Sequence, residues 1–279
     1  MNTLAIEPVY RVILGDVTQF RILLVGCGGT GSTLTLFLAG LAFHAQQKGI
    51  DVDLTLVDPD VVEMKNCGRQ AVSVQAALAG NIPKVADLSL RLNAAYGLAM
   101  TAWPVRYEVA LARDWYDYQT SAATCAHLII GCVDNHLGRQ QMAETVAGFN
   151  GRIWAIDCGN EQHNGQVLIG NLAELKPIRI DKLGLCSGLP SPYVQESALL
   201  TPDPEPDALS CAEMALAETQ SLMVNRLTAT IAAQYVTTFV LQRQICYMAT
   251  YFGLEPPTAT SRLITITNLK AHHPVSLSP

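Results

Sequence analysis

Val25-Gly26-Cys27-Gly28-Gly29-Thr30-Gly31-Ser32 follows an apolar run, Arg21 to Val25, and precedes a stretch whose apolar residues recur at helical spacing. Gly26, Gly28 and Gly31 make the G-x-G-x-x-G pattern of a strand-to-helix turn. In such a turn the missing side chains let backbone amides approach a phosphate, and the helix N-terminus favours negative charge. Gly26, Gly31 and Ser32 also fit the spacing of a P-loop, but the lysine of that motif is absent, so a cation for the terminal phosphates has to come from elsewhere. Leu34, Phe37, Leu38, Leu41 and Ala45 then form one apolar stripe of a helix near residues 30–47, with Thr30 and Ser32 as candidate caps. The order predicts a nucleotide site at the first turn of an α/β fold.

Downstream, Asp53 to Val57 reads as a second buried strand. Asp58 stands at its carboxyl end, where doubly wound folds place the acid that takes ribose hydroxyls. A dehydrogenase shares this much. The next stretch separates the two readings, because Asn66, Arg69 and Gln70 fall in one loop and Lys84 follows near a helix start, and a nicotinamide site has no need of them. Asp60 is either a further polar contact or a turn residue after Pro59. Asp134 follows the strand-like run His127 to Cys132 and begins a helical pattern, so it reads as an N-cap, a metal ligand, or both.

These pieces, taken in order, resemble the ThiF, MoeB and ubiquitin-activating-enzyme superfamily of adenylating enzymes over roughly residues 10–250. The superfamily pattern is G-x-G-G-x-G-S, then D-x-D-x-V, N-x-x-R-Q, a lysine near a helix start, and a strand ending in D-N. The nearest match suggested within it is the ThiF-like component of plasmid-associated PRTRC systems. The resemblance implies a Rossmann-like, ThiF-type α/β fold with a doubly wound, mostly parallel sheet. It implies that Gly26, Gly28, Gly29 and Gly31 form the turn at the α-phosphate, that Asp58 binds ribose, that Asn66, Arg69 and Lys84 hold phosphates with Asp60 and Gln70 beside them, and that Asp134 holds magnesium. The expected cofactors are ATP and Mg2+. The expected partner is a small ubiquitin-like or sulfur-carrier protein with a C-terminal Gly, activated by a homodimer.

The residue types suit that chemistry without the family name. A carboxylate attacking the α-phosphate expels pyrophosphate, so the transition state gathers negative charge that Arg69, Lys84 and a magnesium ion on Asp134 would neutralise. The carboxylate is already ionised at pH 7, so no general base is required. Two other readings of the turn are an NAD-dependent oxidoreductase, which leaves Arg69, Lys84 and Asp134 without roles, and a non-catalytic nucleotide-binding scaffold, against which the same three intact residues argue.

With 279 residues, 49% of them hydrophobic and 15% charged, the chain has ample core for one large α/β unit spanning 1–279. Strand candidates lie near 21–25, 53–57, 99–105, 127–132, 153–157 and 165–170, and helix candidates near 30–47, 84–95, 134–149 and 212–247. Five prolines between Pro190 and Pro206 interrupt the alternation and predict a long crossover loop over about 185–210, which by the resemblance lies over the incoming protein tail. A C-terminal, Ala-rich helix follows. Cys211 sits between loop and helix, where related enzymes place an acyl-accepting cysteine and where a helix N-terminus lowers a thiol pKa. Cys186 is the second candidate, and Arg11 is the sole remnant of an N-terminal arginine motif that reaches a partner's ATP in related homodimers. A net charge of −6 without a basic stripe argues against nucleic acid. The absence of an apolar signal core or a membrane-length run predicts no membrane partner and a cytoplasmic protein with reduced cysteines. Related proteins carry Cys-x-x-Cys pairs that bind zinc; this sequence has none, so no structural zinc is expected.

Overall fold

Strand β2 (Gln19–Val25), the run that opens the glycine turn, lies near the middle of an eight-stranded sheet. The computed structural model describes residues 7–116, 124–149, 151–174, 176–202 and 222–277. Before β2 comes the short β1 (Val12–Ile13), and after it α1 (Gly29–Gln46), β3 (Asp51–Val57), α2 (Val74–Ala79), α3 (Lys84–Tyr96), β4 (Thr101–Trp103) and α4 (Val109–Trp115). The chain then runs through β5 (Cys125–Gly131), α5 (His136–Phe149), β6 (Ile153–Asn160), β7 (Asn164–Gly170), β8 (Ile178–Ile180) and α6 (Pro192–Gln195). The last described part holds α7 (Leu222–Thr237), β9 (Gln244–Ile245), β10 (Tyr247–Leu254), β11 (Pro257–Leu263), α8 (Ile266–Lys270) and β12 (Val275–Leu277).

The sheet order is β11-β10-β7-β6-β5-β2-β3-β4; β4, β3, β2, β5 and β6 run parallel, and β7, β10 and β11 add antiparallel neighbours at the far edge. Alternation along β2 decides what each face buries. Phe20, Ile22 and Leu24 enter a core with α1, α3 and α7, whereas Leu23 and Val25 pack with Trp115 of α4 and Met142, Val146 and Phe149 of α5. Strand β5 is buried at every position, as expected of a parallel strand covered on both faces. Each such leucine or isoleucine contributes about 1.5–3 kcal/mol by leaving water. The fold is therefore the mostly parallel, doubly wound α/β arrangement expected.

The crossovers from β2 through β3 to β4 proceed one way along the sheet, and β5 then returns to the other side of β2. The chain thus reverses between β2 and β5. A crevice opens outside the carboxyl ends of strands at such a point.

Two expected elements differ. The helix expected over 212–247 is described only from Leu222, leaves α-geometry in a π turn over Thr238–Gln242, and ends where Arg243 takes φ +54°. Tyr247, the last residue of the expected helix, opens strand β10, and no element was expected over 248–254; the strand forms because it pairs with β7, Ala249 opposite Leu168 and Tyr251 opposite Gln166, and its buried Met248, Ala249 and Phe252 join that sheet edge. The early part of the expected crossover loop is ordered by backbone pairing. Leu172 N–H donates to Leu189 O at 2.9 Å, Ser191 N–H donates to Leu172 O at 2.8 Å, and Leu189 and Tyr193 are buried. Residues 203–210 of that loop lie outside the described residues. Among the described residues no helix is long and apolar enough to cross a membrane.

Candidate functional site

A cleft of about 950 Å³ opens at the reversal point, bounded below by the ends of β2, β3 and β5 and by the first turn of α1. The glycine turn is built for close approach. Gly26 has φ +89°, donates its N–H to Val57 O at 2.9 Å, and would bring a Cβ within 2.6 Å of Cys132 O. Gly31 faces the turn itself: a Cβ there would lie 1.8 Å from Gly26 O. The helix can start this tightly against its own strand only without side chains at these two positions. Ser32 fixes the turn from below, its hydroxyl donating to Gly28 O and accepting from Ala71 N–H at 2.9 Å, so the turn is tied to the loop that carries Arg69 and Gln70. Gly26, Gly28, Gly29 and Thr30 line the cleft, and Gly31 supports them from behind.

Asp58 lines the cleft at the end of β3, with one carboxylate oxygen accepting from Cys27 N–H at 2.6 Å and the other from Asp60 N–H at 2.8 Å. Burial raises its pKa, and those two N–H donors and Lys84 oppose the rise. Each oxygen keeps a further acceptor position. Lys84, at the first position of α3, is buried but presents Nζ to Asp60 Oδ2 at 2.8 Å; its side chain is 7% exposed and that of Asp60 63%. The ammonium is thus desolvated at the cleft wall while its partner stands largely in water. Arg69 and Gln70 line the cleft from the loop, and Arg69 has no ion-pair partner among the described residues.

Asn66 serves this loop differently. It does not line the cleft; its Oδ1 accepts from Glu63 N–H at 2.9 Å in a capping box, and its carbonyl accepts from Arg69 and Gln70 N–H. In this structure it shapes the segment that presents Arg69. Asp134 is exposed at the cleft edge just before α5, with Asn135 Nδ2 3.3 Å from its Oδ1. It is Asn135, by accepting from Gly138 N–H at 2.8 Å, that caps the start of α5. Cys211 lies outside the described residues. Cys186 is buried away from the cleft, and burial pushes its thiol up to about 11. Arg11 is exposed and pairs through its backbone with Gly184 and Cys186 rather than reaching the cleft.

Among the cleft residues that were not anticipated are Arg106, Asn160 and Asn225. Arg106 lies just beyond β4, where the rule that carboxyl-end loops line the crevice would have pointed to it. Asn160 at the end of β6 and Asn225 in α7 carry no local motif. They meet at Thr30: Asn160 Nδ2 donates to Thr30 Oγ1 at 2.9 Å and to Asn225 Oδ1 at 2.7 Å, and Thr30 Oγ1 donates to Asn225 Oδ1 at 3.0 Å.

The donors around the cleft suit a polyanion, and the acids suit sugar hydroxyls and a hydrated cation. Among the described residues no group of three or more His, Cys, Asp or Glu side chains forms a protein-only metal cage. A magnesium ion requires no such cage: one or two carboxylates with water and phosphate oxygens suffice, and exposed Asp134 on the cleft edge fits that demand.

The fold is similar to that of E. coli MccB. The structure with ATP superposes with TM-score 0.55 at 14% identity, covering 88% of this chain and 64% of MccB, and the structure with MccA gives 0.56 at 13% identity with the same coverage. The matched region therefore spans just under two thirds of MccB's length. No protein of curated function matches the chain in sequence. The family pattern, in contrast, extends over nearly all of it: with residues 4–274 matched, the chain belongs to the ThiF family.

Proposed function

We propose that the protein is an ATP-dependent adenylyltransferase that activates the C-terminal carboxylate of a small protein or peptide. The observation that carries this reading is the convergence, on one cleft, of the α1 glycine turn, Asp58, Lys84, Arg69 and Asp134. Likeness in fold to MccB, whose structures include complexes with ATP and with MccA, supports it. In the proposed reaction a carboxylate oxygen forms a bond to the α-phosphorus, the bond from that phosphorus to the oxygen bridging to the β-phosphate breaks, and pyrophosphate leaves with the electron pair. The N–H groups of the turn bind the α-phosphate, Asp58 accepts from the ribose hydroxyls, and Lys84 and Arg69 neutralise charge building on the departing phosphates. Asp134 would hold Mg2+, which when bound withdraws charge from the phosphate oxygens.

The preferred acceptor is a ubiquitin-like or sulfur-carrier protein ending in glycine, acted on by a cytoplasmic homodimer in which residues 1–279 form one adenylation domain. In the second step of the scheme the Cys211 thiolate attacks the acyl carbonyl of the adenylate, the bond from that carbonyl to the phosphate oxygen breaks, and AMP leaves. The test is ATP–pyrophosphate exchange with Mg2+ and Gly-terminated small proteins encoded beside this one. Exchange that requires both the small protein and Mg2+ is expected, whereas tight NAD binding without exchange would overturn the reading. A thiol-sensitive adduct lost in Cys211→Ala, with exchange retained, is the expected sign of the second step.

A further inference from the structure

Asn225 is 8% exposed and sits 195 residues away in sequence from its partner Thr30, yet its carboxamide occupies the space over Gly29. A Cβ on Gly29 would lie 2.8 Å from Asn225 Nδ2 and 2.8 Å from its Cγ. The amide is oriented by its neighbours. Oδ1 accepts both Thr30 Oγ1–H and Asn160 Nδ2–H, and Thr30 can donate there because its hydroxyl oxygen accepts from Asn160. Flipping this amide alone would set its Nδ2 against Asn160 Nδ2. Nδ2 is therefore turned away from the triad, has no acceptor among the described residues, and belongs to a side chain lining the cleft beside Gly28, Gly29 and Thr30. Nδ2 thus meets only the solvent of the cleft, and an anion bound there would exchange that contact for a charge-assisted hydrogen bond.

We propose that Asn225, held by Thr30 and Asn160, donates through Nδ2 to a non-bridging oxygen of the nucleotide's α-phosphate, completing the anion site begun by the N-terminal amides of α1. The assignment rests on the adenylating reading and deepens it. A neutral donor locked by two hydrogen bonds stabilises charge on the α-phosphoryl group without reorganising and without pairing to the acceptor's carboxylate as a lysine would. It also makes α7 part of the phosphate site.

The test compares AMP with adenosine, so that the phosphate contribution is read apart from the nucleoside. Asn225→Asp keeps Oδ1 for Thr30 and Asn160 and replaces only the Nδ2 donor; Asn225→Ala removes the whole amide. By calorimetry, Asn225→Ala is expected to weaken AMP binding about 10- to 100-fold, the range for a hydrogen bond to a charged group, and Asn225→Asp to weaken it further by adding a negative charge. Adenosine affinity should stay within about 2-fold in both, since the base and ribose contacts are untouched. Thermal melts verify that both variants fold. Wild-type AMP affinity in a folded Asn225→Asp, or equal losses for AMP and adenosine, would overturn the assignment while leaving nucleotide binding intact. A wild-type protein that binds neither AMP nor ATP would overturn the adenylating reading and this assignment with it.

Discussion

Replacing Lys84 by methionine should separate function from stability. The gross attraction between Lys84 Nζ and Asp60 Oδ2 at 2.8 Å is about 6 kcal/mol at an effective dielectric constant near 20. Two effects reduce it. The Asp60 side chain is 63% exposed, so solvent screening brings the pair down toward the range of about 1 kcal/mol measured for surface ion pairs, and burying the ammonium itself costs several kcal/mol. Methionine keeps most of the apolar stem in the buried site and leaves Asp60 free to hydrate. Lys84→Met should therefore lower unfolding free energy by no more than about 1 kcal/mol, and an increase is compatible with the same terms. ATP affinity should fall about 10- to 100-fold, because a charge-assisted hydrogen bond to phosphate is lost. Urea unfolding and ATP titration calorimetry on the same preparations read both numbers. A loss above about 3 kcal/mol in stability with unchanged ATP affinity would refute the reasoning and make Lys84 a structural cation.

Gly31→Ala should not yield a stable protein, because its Cβ would lie 1.8 Å from backbone oxygen Gly26 O; Gly28→Ala, with nothing within 4 Å, should stay within about 1 kcal/mol of wild type by thermal melting. Ser32→Ala should lose about 1–3 kcal/mol, measured by urea unfolding, since it strands the Ala71 N–H, and it should also weaken ATP binding by loosening the Arg69 loop; unchanged values for both would disprove the link. Asp157 is fully buried, and its pKa is raised by desolvation against the opposing pull of Arg139 3.2 Å away. Its raised native value means that this side chain's proton-linked stability is present below about pH 3.9 and is lost as pH climbs through the native pKa. Relative to Asp157→Asn, wild type should therefore lose stability from about pH 4 upward in paired urea unfolding curves; a wild-type advantage that grows with pH would show the opposite sign of shift.

Sequence carried the part of this molecule that is written locally. The apolar alternation in β2 and β3, the glycine spacing at residues 26, 28 and 31, and the order of Asp58, Arg69 and Lys84 are short-range signals, and the structure brings Gly26, Gly28, Asp58, Arg69 and Lys84 to one cleft with Gly31 behind the turn. The expected helix ran on to Tyr247, the first residue of β10, and no strand was expected over 247–254 because those residues have no strict alternation. What makes them a strand is β7, 80 or so residues earlier in the chain, offering an unpaired edge. Asn66 shows the complementary limit: the motif marks the position, but only the capping box reveals that its side chain is turned to the loop's own backbone.

Asn160 and Asn225 were invisible for a stronger reason. An asparagine at a strand end or in a helix carries no period and no spacing, so its role exists only once β6 and α7 have been packed against α1. The parallel half of the sheet supplies the nucleotide turn, and the first strand pair to break the parallel run, β6 and β7, has at its hairpin end Asn160, the residue that joins the Thr30 triad. The core packing that sets α7 against α1, through residues such as Leu34, Leu38, Ala229 and Ala232, also fixes where the Asn225 amide stands. Enlarging Ala229 or Ala232 would push α7 outward and displace Asn225 from Gly29. The fold and the site thus share one interface: apolar contacts between α1 and α7 set the distance, and the Thr30 triad converts that distance into the aim of a single donor.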